Sequence, residues 1–157
     1  MAVKRQRIGW REWVALPDLG VARIKTKIDT GARSSALHAF AVERFRRRGQ
    51  DMVRFAIHPL QRSKREVTAE AVMVDERVVK SSNGVQAIRP VIITLLEVLG
   101  ESWPIEVTLA TRDAMGFRML LGRQAVRGRF LIDPGRSYLA GKPARGAPVV
   151  TPQPEIG

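Results

Sequence analysis

Alternation of apolar with charged side chains is what most restricts this chain, and it is clearest just before an acid. Ile24, Thr26 and Ile28 alternate with Arg23, Lys25 and Lys27, the period-2 pattern of a strand with one buried face. That strand runs directly into Asp29-Thr30-Gly31-Ala32. Gly31 permits a sharp turn or a close approach of backbone to backbone, so the Asp29 carboxylate is carried at the end of a rigid strand. The same residues also suit an ordinary Asx turn in which Asp29 only caps the loop.

Similar runs recur along the chain. Residues 9–16 read as a first strand closed by the turn Pro17-Asp18-Leu19-Gly20. Trp10 and Trp13 cannot share one face of a regular strand, and both read as structural. Residues 34–43 are ambiguous by pattern alone. Residues 52–58 place Val53, Phe55 and Ile57 on one side, and 67–80 form a longer β run. Ser81-Ser82-Asn83-Gly84 is a turn signal between that run and a return arm over 85–99. Pro90 within the return arm argues for an edge or a bulge. Ile105, Val107 and Leu109 alternate in the next strand, and 119–122 form another before a short helix over 123–127. Residues 130–133 and 137–139 flank Asp133-Pro134-Gly135 and read as a hairpin. Many short strands and one short helix predict an all-β fold closed into a barrel.

A chain of 157 residues makes one domain, here expected over 1–141. From Lys142 onward, Pro143, Pro148, Pro152 and Pro154 predict an irregular, disordered tail. With no cysteine, disulfides and thiolate metal sites are excluded. The basic N-terminus is followed by no long apolar run, so neither signal peptide nor membrane span is expected, and a cytoplasmic location follows by default.

Net charge is +12. Such a balance implies an anionic partner or a self-repelling surface. Arg44, Arg46, Arg47 and Arg48 cluster before Gly49, which raises nucleic acid as a partner. Yet aromatics are few, with one Tyr, and no RNA-binding signature interleaves them with the basic residues. A solvated face is the preferred reading of that run. Acidic peptides would serve equally well as the anion.

A second stretch, Arg118-Met119-Leu120-Leu121-Gly122-Arg123, completes a recognisable pair with Asp29-Thr30-Gly31-Ala32. Together they resemble the retroviral-type (retropepsin-like) aspartic proteases. The longer strings Lys27-Ile28-Asp29-Thr30-Gly31-Ala32-Arg33-Ser34-Ser35-Ala36-Leu37-His38-Ala39 and Val79-Lys80-Ser81-Ser82-Asn83-Gly84, with Arg89-Pro90-Val91-Ile92, narrow the resemblance. They are similar to a family of bacterial proteins associated with the RimK glutamate ligase, whose members carry the label "ATP-dependent zinc protease". The resemblance covers roughly residues 8–140.

The resemblance implies an acid-protease barrel with Asp29 as the catalytic acid and Thr30, Gly31 and Ala32 as its active-site loop. The chain has one Asp-Thr-Gly. A working pair of carboxylates would therefore need a second copy, and a two-fold homodimer is expected. By the same resemblance Thr30 would brace the pair across the axis, Gly31 would admit substrate backbone, and residues 120–122 would pack behind the loop. Ser81, Ser82, Asn83 and Gly84 would form the tip of a flap over the substrate; an ordinary surface hairpin is the plainer reading.

The substrate so implied is an acidic peptide, such as poly-α-glutamate or glutamate tails on a ribosomal protein. Arg33, Lys80 and Arg89 are the nominated substrate-binding residues. Many retroviral enzymes follow Asp-Thr-Gly-Ala with an acid that pairs with the arginine of the Gly-Arg motif. Here Arg33 and Ser34 follow instead, and Arg123 is left in need of a different partner.

No metal is expected despite the family label. The two histidines, His38 and His58, are not part of a His-Glu-x-x-His run. No Gly-rich Lys-Ser/Thr loop is present to hold ATP, and no cofactor is expected. The alternative function is a non-catalytic basic adaptor that binds ribosome or RNA on a degenerate protease fold.

Overall fold

The computed structural model describes residues 5–60, 63–80, 83–111 and 116–142. The strands in chain order are β1 (Gln6–Leu16), β2 (Val21–Asp29), β3 (Ser35–His38), β4 (Phe40–Arg47), β5 (Gln50–Ile57), β6 (Val67–Lys80), β7 (Gln86–Val98), β8 (Glu101–Ala110), β9 (Met119–Gly122) and β10 (Phe130–Ser137). A single α-helical turn, α1 (Arg123–Val126), follows β9, and a 3₁₀ turn over Pro17–Leu19 separates β1 from β2. The expected all-β architecture with one short C-terminal helix is the one observed.

Six strands close on themselves in the order β1-β2-β9-β3-β8-β7, the ring being completed by the pairing of Ala15 in β1 with Glu97 in β7. β6, β5 and β4 extend outward from β7, and β10 lies outside β1. Closure removes two free sheet edges. Alternation built the interior as expected. Ile24, Thr26 and Ile28 of β2, Val53, Phe55 and Ile57 of β5, and Ile105, Val107 and Leu109 of β8 are all buried.

Pro90 occupies a place its missing N–H allows. β7 pairs with β8 only from Val91 onward, whereas it pairs with β6 from Gln86. Residues 86–90 thus have no ladder partner on the β8 side, and β6 carries a register shift between Met73 and Asp75 opposite Ile92 and Val91. Both halves of the edge-or-bulge expectation are met within a few residues. Beyond this point β6 and β7 continue as a two-stranded arm.

The expected hairpin around Asp133-Pro134-Gly135 is not formed. Phe130–Ser137 is one strand, parallel to β1, with Asp133 opposite Gly9 and Ser137 opposite Arg11. The Pro-Gly step makes a bulge that absorbs extra residues instead of reversing the chain. Gly9 is required there, because a Cβ would fall 2.7 Å from the Arg136 carbonyl carbon.

One acid sits on the apolar face of β1. Glu12 is fully buried beside Val14 and Leu16. Its Oε2 accepts from the Gly9 N–H at 2.6 Å and the Leu139 N–H at 2.9 Å, and its Oε1 from the Ala140 N–H at 3.0 Å. A buried carboxylate is tolerable only with such donors. Here they tie residues 139–140 back onto β1. The remainder of the expected tail, 143–157, lies outside the described residues.

The arginine cluster is largely neutralised in place. Arg44 pairs with Glu76 at 2.7 Å, Arg46 with Asp51 at 2.8 Å and Arg47 with Glu70 at 2.9 Å. Arg54 reaches Glu70 at 2.8 Å. The hydrogen bond from Arg54, with further help from Arg47, holds the Glu70 carboxyl below its ordinary value of 4.5 against the opposing effect of burial.

Two stability tests follow from these contacts. Glu12→Gln replaces an acceptor of three N–H bonds by a group that is itself half donor, and should cost about 2 kcal/mol in denaturant unfolding, against a few tenths for the exposed Glu66→Gln. Glu70 has a lowered folded-state pKa, so its contribution is fully present above pH 4.5 and is lost as pH falls through the lowered value. The stability difference between the parent and Glu70→Gln should therefore shrink on acidification; a difference that grows instead would contradict the assignment.

Candidate active site

Asp29 is the last residue of β2, and its position is set by two neighbours on β9. β2 and β9 run parallel, with Thr26 opposite Met119, Ile28 opposite Leu121 and Asp29 opposite Gly122. The buried Thr26 hydroxyl donates to the Met119 carbonyl at 3.1 Å, fixing this register from inside the barrel. On its other side β9 pairs antiparallel with β3 through Ala36 and Leu37. The loop carrying Asp29 thus leaves one neighbour of β9 and enters the other, and must pass around the end of β9 at Gly122.

That passage is tight. A Cβ on Gly122 would lie 2.6 Å from the Ser34 carbonyl carbon and 2.8 Å from that of Arg33. The Gly122 N–H donates to Ser35 Oγ at 3.1 Å. The Arg123 N–H donates to the Ala32 carbonyl at 2.8 Å, and the Gln124 N–H to the Arg33 carbonyl at 3.1 Å. Behind α1, Trp103 Nε1 donates to the Ala125 carbonyl at 2.9 Å and joins the helical turn to β8. The expectation that 120–122 back the loop is met.

Within the loop, Asp29 Oδ1 accepts from the Gly31 N–H at 3.1 Å, and the Asp29 carbonyl accepts from the Ala32 N–H at 3.1 Å. The Asx turn allowed by the sequence is formed. It aims the carboxylate without burying it, since Thr30 and Gly31 are exposed and Asp29 is half-buried. A Cβ at Gly31 would stand 3.3 Å from Asp29 Oδ1, tight enough to disturb the turn.

Arg123 acquires the partner that the sequence left open. Its Nη1 lies 3.4 Å from the Thr30 carbonyl and 3.3 Å from the Gly31 carbonyl. In place of an ion pair, the guanidinium holds the loop by its backbone oxygens. No sequence pattern points to this, because every residue offers a carbonyl.

The flap residues are divided. Ser81 and Ser82 lie outside the described residues. Asn83 Oδ1 accepts from the Val85 N–H at 3.2 Å, and Gly84 adopts a left-handed φ of 84°, as a turn between two strands requires. Of the nominated basic residues, Arg33 lines a cavity beside the loop, whereas Lys80 and Arg89 stand on the two-stranded arm and do not line it.

Neither histidine offers a ready metal ligand. His38 is buried in β3, and His58 stacks on Phe40 with ring centroids 4.7 Å apart and its Nδ1 3.1 Å from the Arg65 carbonyl. Among the described residues no three His, Asp or Glu side chains come together as a ligand set. A zinc centre does not fit the residues described. No helix among the described residues is long and apolar enough to cross a membrane.

A family model described as RimB-like, retropepsin-like aspartic endopeptidase RimB, matches residues 7–143. The chain belongs to that family. Among curated relatives, a "Probable alpha-L-glutamate ligase" of Shewanella pealeana is 44% identical over 136 residues, covering 86% of this chain and 30% of that protein. One of the same name from Desulfotalea psychrophila is 41% identical over 141 residues, covering 89% of this chain and again 30% of its own length. The RimB-like chain thus spans 30% of the length of the curated relatives it matches. Among solved structures, the Legionella pneumophila protein Lpg0085, of unknown function, superposes with a TM-score of 0.74 at 25% identity, covering 87% of this chain and 99% of that one. The retropepsin-like barrel is therefore shared with an independently solved fold.

Gly122→Ala tests how far the RimB-like loop depends on the passage at β9. The added Cβ must push the Arg33–Ser34 backbone away, and a displacement of this kind costs about 2 kcal/mol or more in stability. Ser34→Ala, which leaves the backbone in place, should stay within about 0.5 kcal/mol of the parent.

Proposed function

We propose that the chain is an aspartic endopeptidase that works as a homodimer on acidic peptides, poly-α-glutamate or glutamate tails on a ribosomal protein among them. The observation carrying this reading is the aimed, solvent-facing carboxylate of Asp29 on a loop braced from three directions, in a chain with one Asp-Thr-Gly. A single such carboxylate is half of a peptidase site. An isologous contact supplies the other half with no further sequence, because the same loop of a second copy meets it across a two-fold axis.

Chemistry in such a site follows from the repulsion of like charges. Two carboxyl groups about 3 Å apart cannot both ionise, so they share one proton, and the apparent pKa values belong to the pair. The ionised Asp29 takes a proton from a water held between the two. The oxygen of that water adds to the peptide carbonyl carbon, while the protonated Asp29 gives its proton to the carbonyl oxygen. Collapse of the tetrahedral diol breaks the C–N bond, with a proton delivered to the leaving amine. Arg123 and the Asx turn hold the loop so that little reorganisation accompanies these steps. The β6–β7 arm would close over the substrate and exclude water.

Acidic substrates are supported by the net charge of +12 and by relatives named "Probable alpha-L-glutamate ligase", of whose length this chain matches 30%. A basic adaptor for RNA is the competing reading. It is weakened by the carboxylates already occupying Arg44, Arg46 and Arg47.

Asp29→Asn separates the two. Cleavage of oligoglutamate peptides should fall by about 10³-fold or more, while sedimentation shows the same dimer as the parent. Undiminished cleavage, or cleavage by a strict monomer, would remove the proposal. RNA binding untouched by the substitution in a parent that never hydrolyses peptide would favour the adaptor.

A further inference from the structure

Beside the candidate catalytic loop is an open cavity of about 1050 Å³, lined by Arg33, Arg77, Arg127 and Arg129 around Trp103 and Glu106. Four guanidinium groups face a single carboxylate among the described lining residues. Arg77 leans on Glu106 at 3.3 Å and on the Thr108 hydroxyl at 3.4 Å. Arg129 lies over the Trp103 ring at 4.2 Å and 3.6 Å from Glu101. Arg33 and Arg127 have no acidic partner among the described residues and are exposed. The cavity therefore keeps an excess of positive charge that the fold does not neutralise, unlike the β4–β5 face.

Arg77 is also directly opposite Arg89 across β6 and β7, and like charges in that relation weaken a strand pair. The wall is also rigidly coupled to the loop, since the Gln124 N–H holds the Arg33 carbonyl and the Arg123 N–H holds that of Ala32.

We infer that this cavity is an outer subsite that binds side-chain carboxylates of an acidic peptide within about four residues of the bond to be cut. The inference rests on the proposed peptidase reading and adds to it where the acidity is sensed. Chain reach limits the spacing from above. Arg33 follows Asp29 by four residues, at most about 14 Å, and an extended peptide advances about 3.3 Å per residue. Arginine suits carboxylates because its planar fork can donate two parallel hydrogen bonds to one group. The site adds Arg77, Arg127 and Arg129 to the nominated Arg33.

The test uses the full chain carrying Asp29→Asn, so that binding is read without turnover. A fluorescent oligoglutamate peptide is titrated by anisotropy at fixed salt against that protein, against the same protein with Arg33→Gln and Arg127→Gln, and against a control with Arg48→Gln and Lys64→Gln. Both doubles remove the same charge. The cavity double should weaken binding by about ten-fold or more, the scale of one to two lost charged hydrogen bonds, while the control stays within about two-fold. Thermal unfolding verifies that both doubles remain folded. In the catalytically intact chain, the cavity double should lower kcat/KM by a similar factor on the glutamate peptide. A peptide with glutamine at every position within about four residues of the cut should be processed equally by parent and cavity double.

Equal weakening by both doubles overturns the subsite, leaving only a general attraction of charge. A single-stranded RNA of equal charge that binds more tightly than the peptide, and loses as much in the cavity double, overturns the assignment to carboxylates. If the intact parent cuts the peptide and the cavity double cuts it equally well, the subsite falls while the peptidase reading stands. If the parent never cuts, yet binding still depends on Arg33 and Arg127, the peptidase reading falls and the carboxylate site is supported.

Discussion

Gly122 stands where the parallel pairing of β2 with β9 ends, and the Arg33–Ser34 backbone crosses so near that no side chain fits between them. Everything about the candidate site is arranged by this contact. It fixes the direction in which the chain leaves β2, and hence where Asp29 points. It lets the first N–H groups after β9 reach the Ala32 and Arg33 carbonyls, and it leaves Arg123 under the Thr30 and Gly31 carbonyls. A loop with exposed residues is thereby held as firmly as a strand, without being buried. A group on a rigid support needs little reorganisation, and a carboxylate that is only half-buried stays available to water.

Stiffness on one side is balanced by freedom on the other. The β6–β7 arm leaves the barrel at Pro90, beyond which no third strand among the described residues pairs with it, and it carries Val78 and Ile88 as an exposed cross-strand pair. Two-stranded ribbons are marginal alone in water. An element of that kind can close over a substrate at small energetic cost, because few contacts need to break or form. The sheet thus offers one braced loop, between β2 and β3, and one loosely supported arm, β6–β7.

How much of this was legible beforehand depends on the range of the interactions. Local alternation announced β2, β5 and β8, a long β-rich run announced β6, and the turn chemistry of Asn83-Gly84 announced the arm. The loop Asp29-Thr30-Gly31-Ala32 and its backing residues were visible as paired motifs. The hairpin read into 130–139 failed for a specific reason. A Pro-Gly step turns or bulges according to what lies beside it, and here the partner is β1, more than a hundred residues earlier in the chain. Glu12 left a signal that is readable in hindsight, an acid on the apolar face of a strand. The partner of Arg123 left none. The four arginines of the cavity come from segments around 33, 77 and 127–129, and only the closed barrel brings them together.

Placement of charge gives the composition its meaning. An excess of +12 could be spread evenly, in which case it would aid solubility and little else. The densest run of arginines is matched by Glu76, Asp51 and Glu70, while Arg33 and Arg127, which line the cavity beside the candidate loop, pair with no acid among the described residues. Uncompensated charge concentrated at a concave surface focuses the field there and raises the local concentration of an anionic ligand. It also works against self-association, since two copies joined through this face bring twice that charge together. In the proposed dimer, a polyanionic peptide between the subunits would screen their repulsion as it binds. Substrate and dimer would then favour one another, a linkage that follows from charge alone.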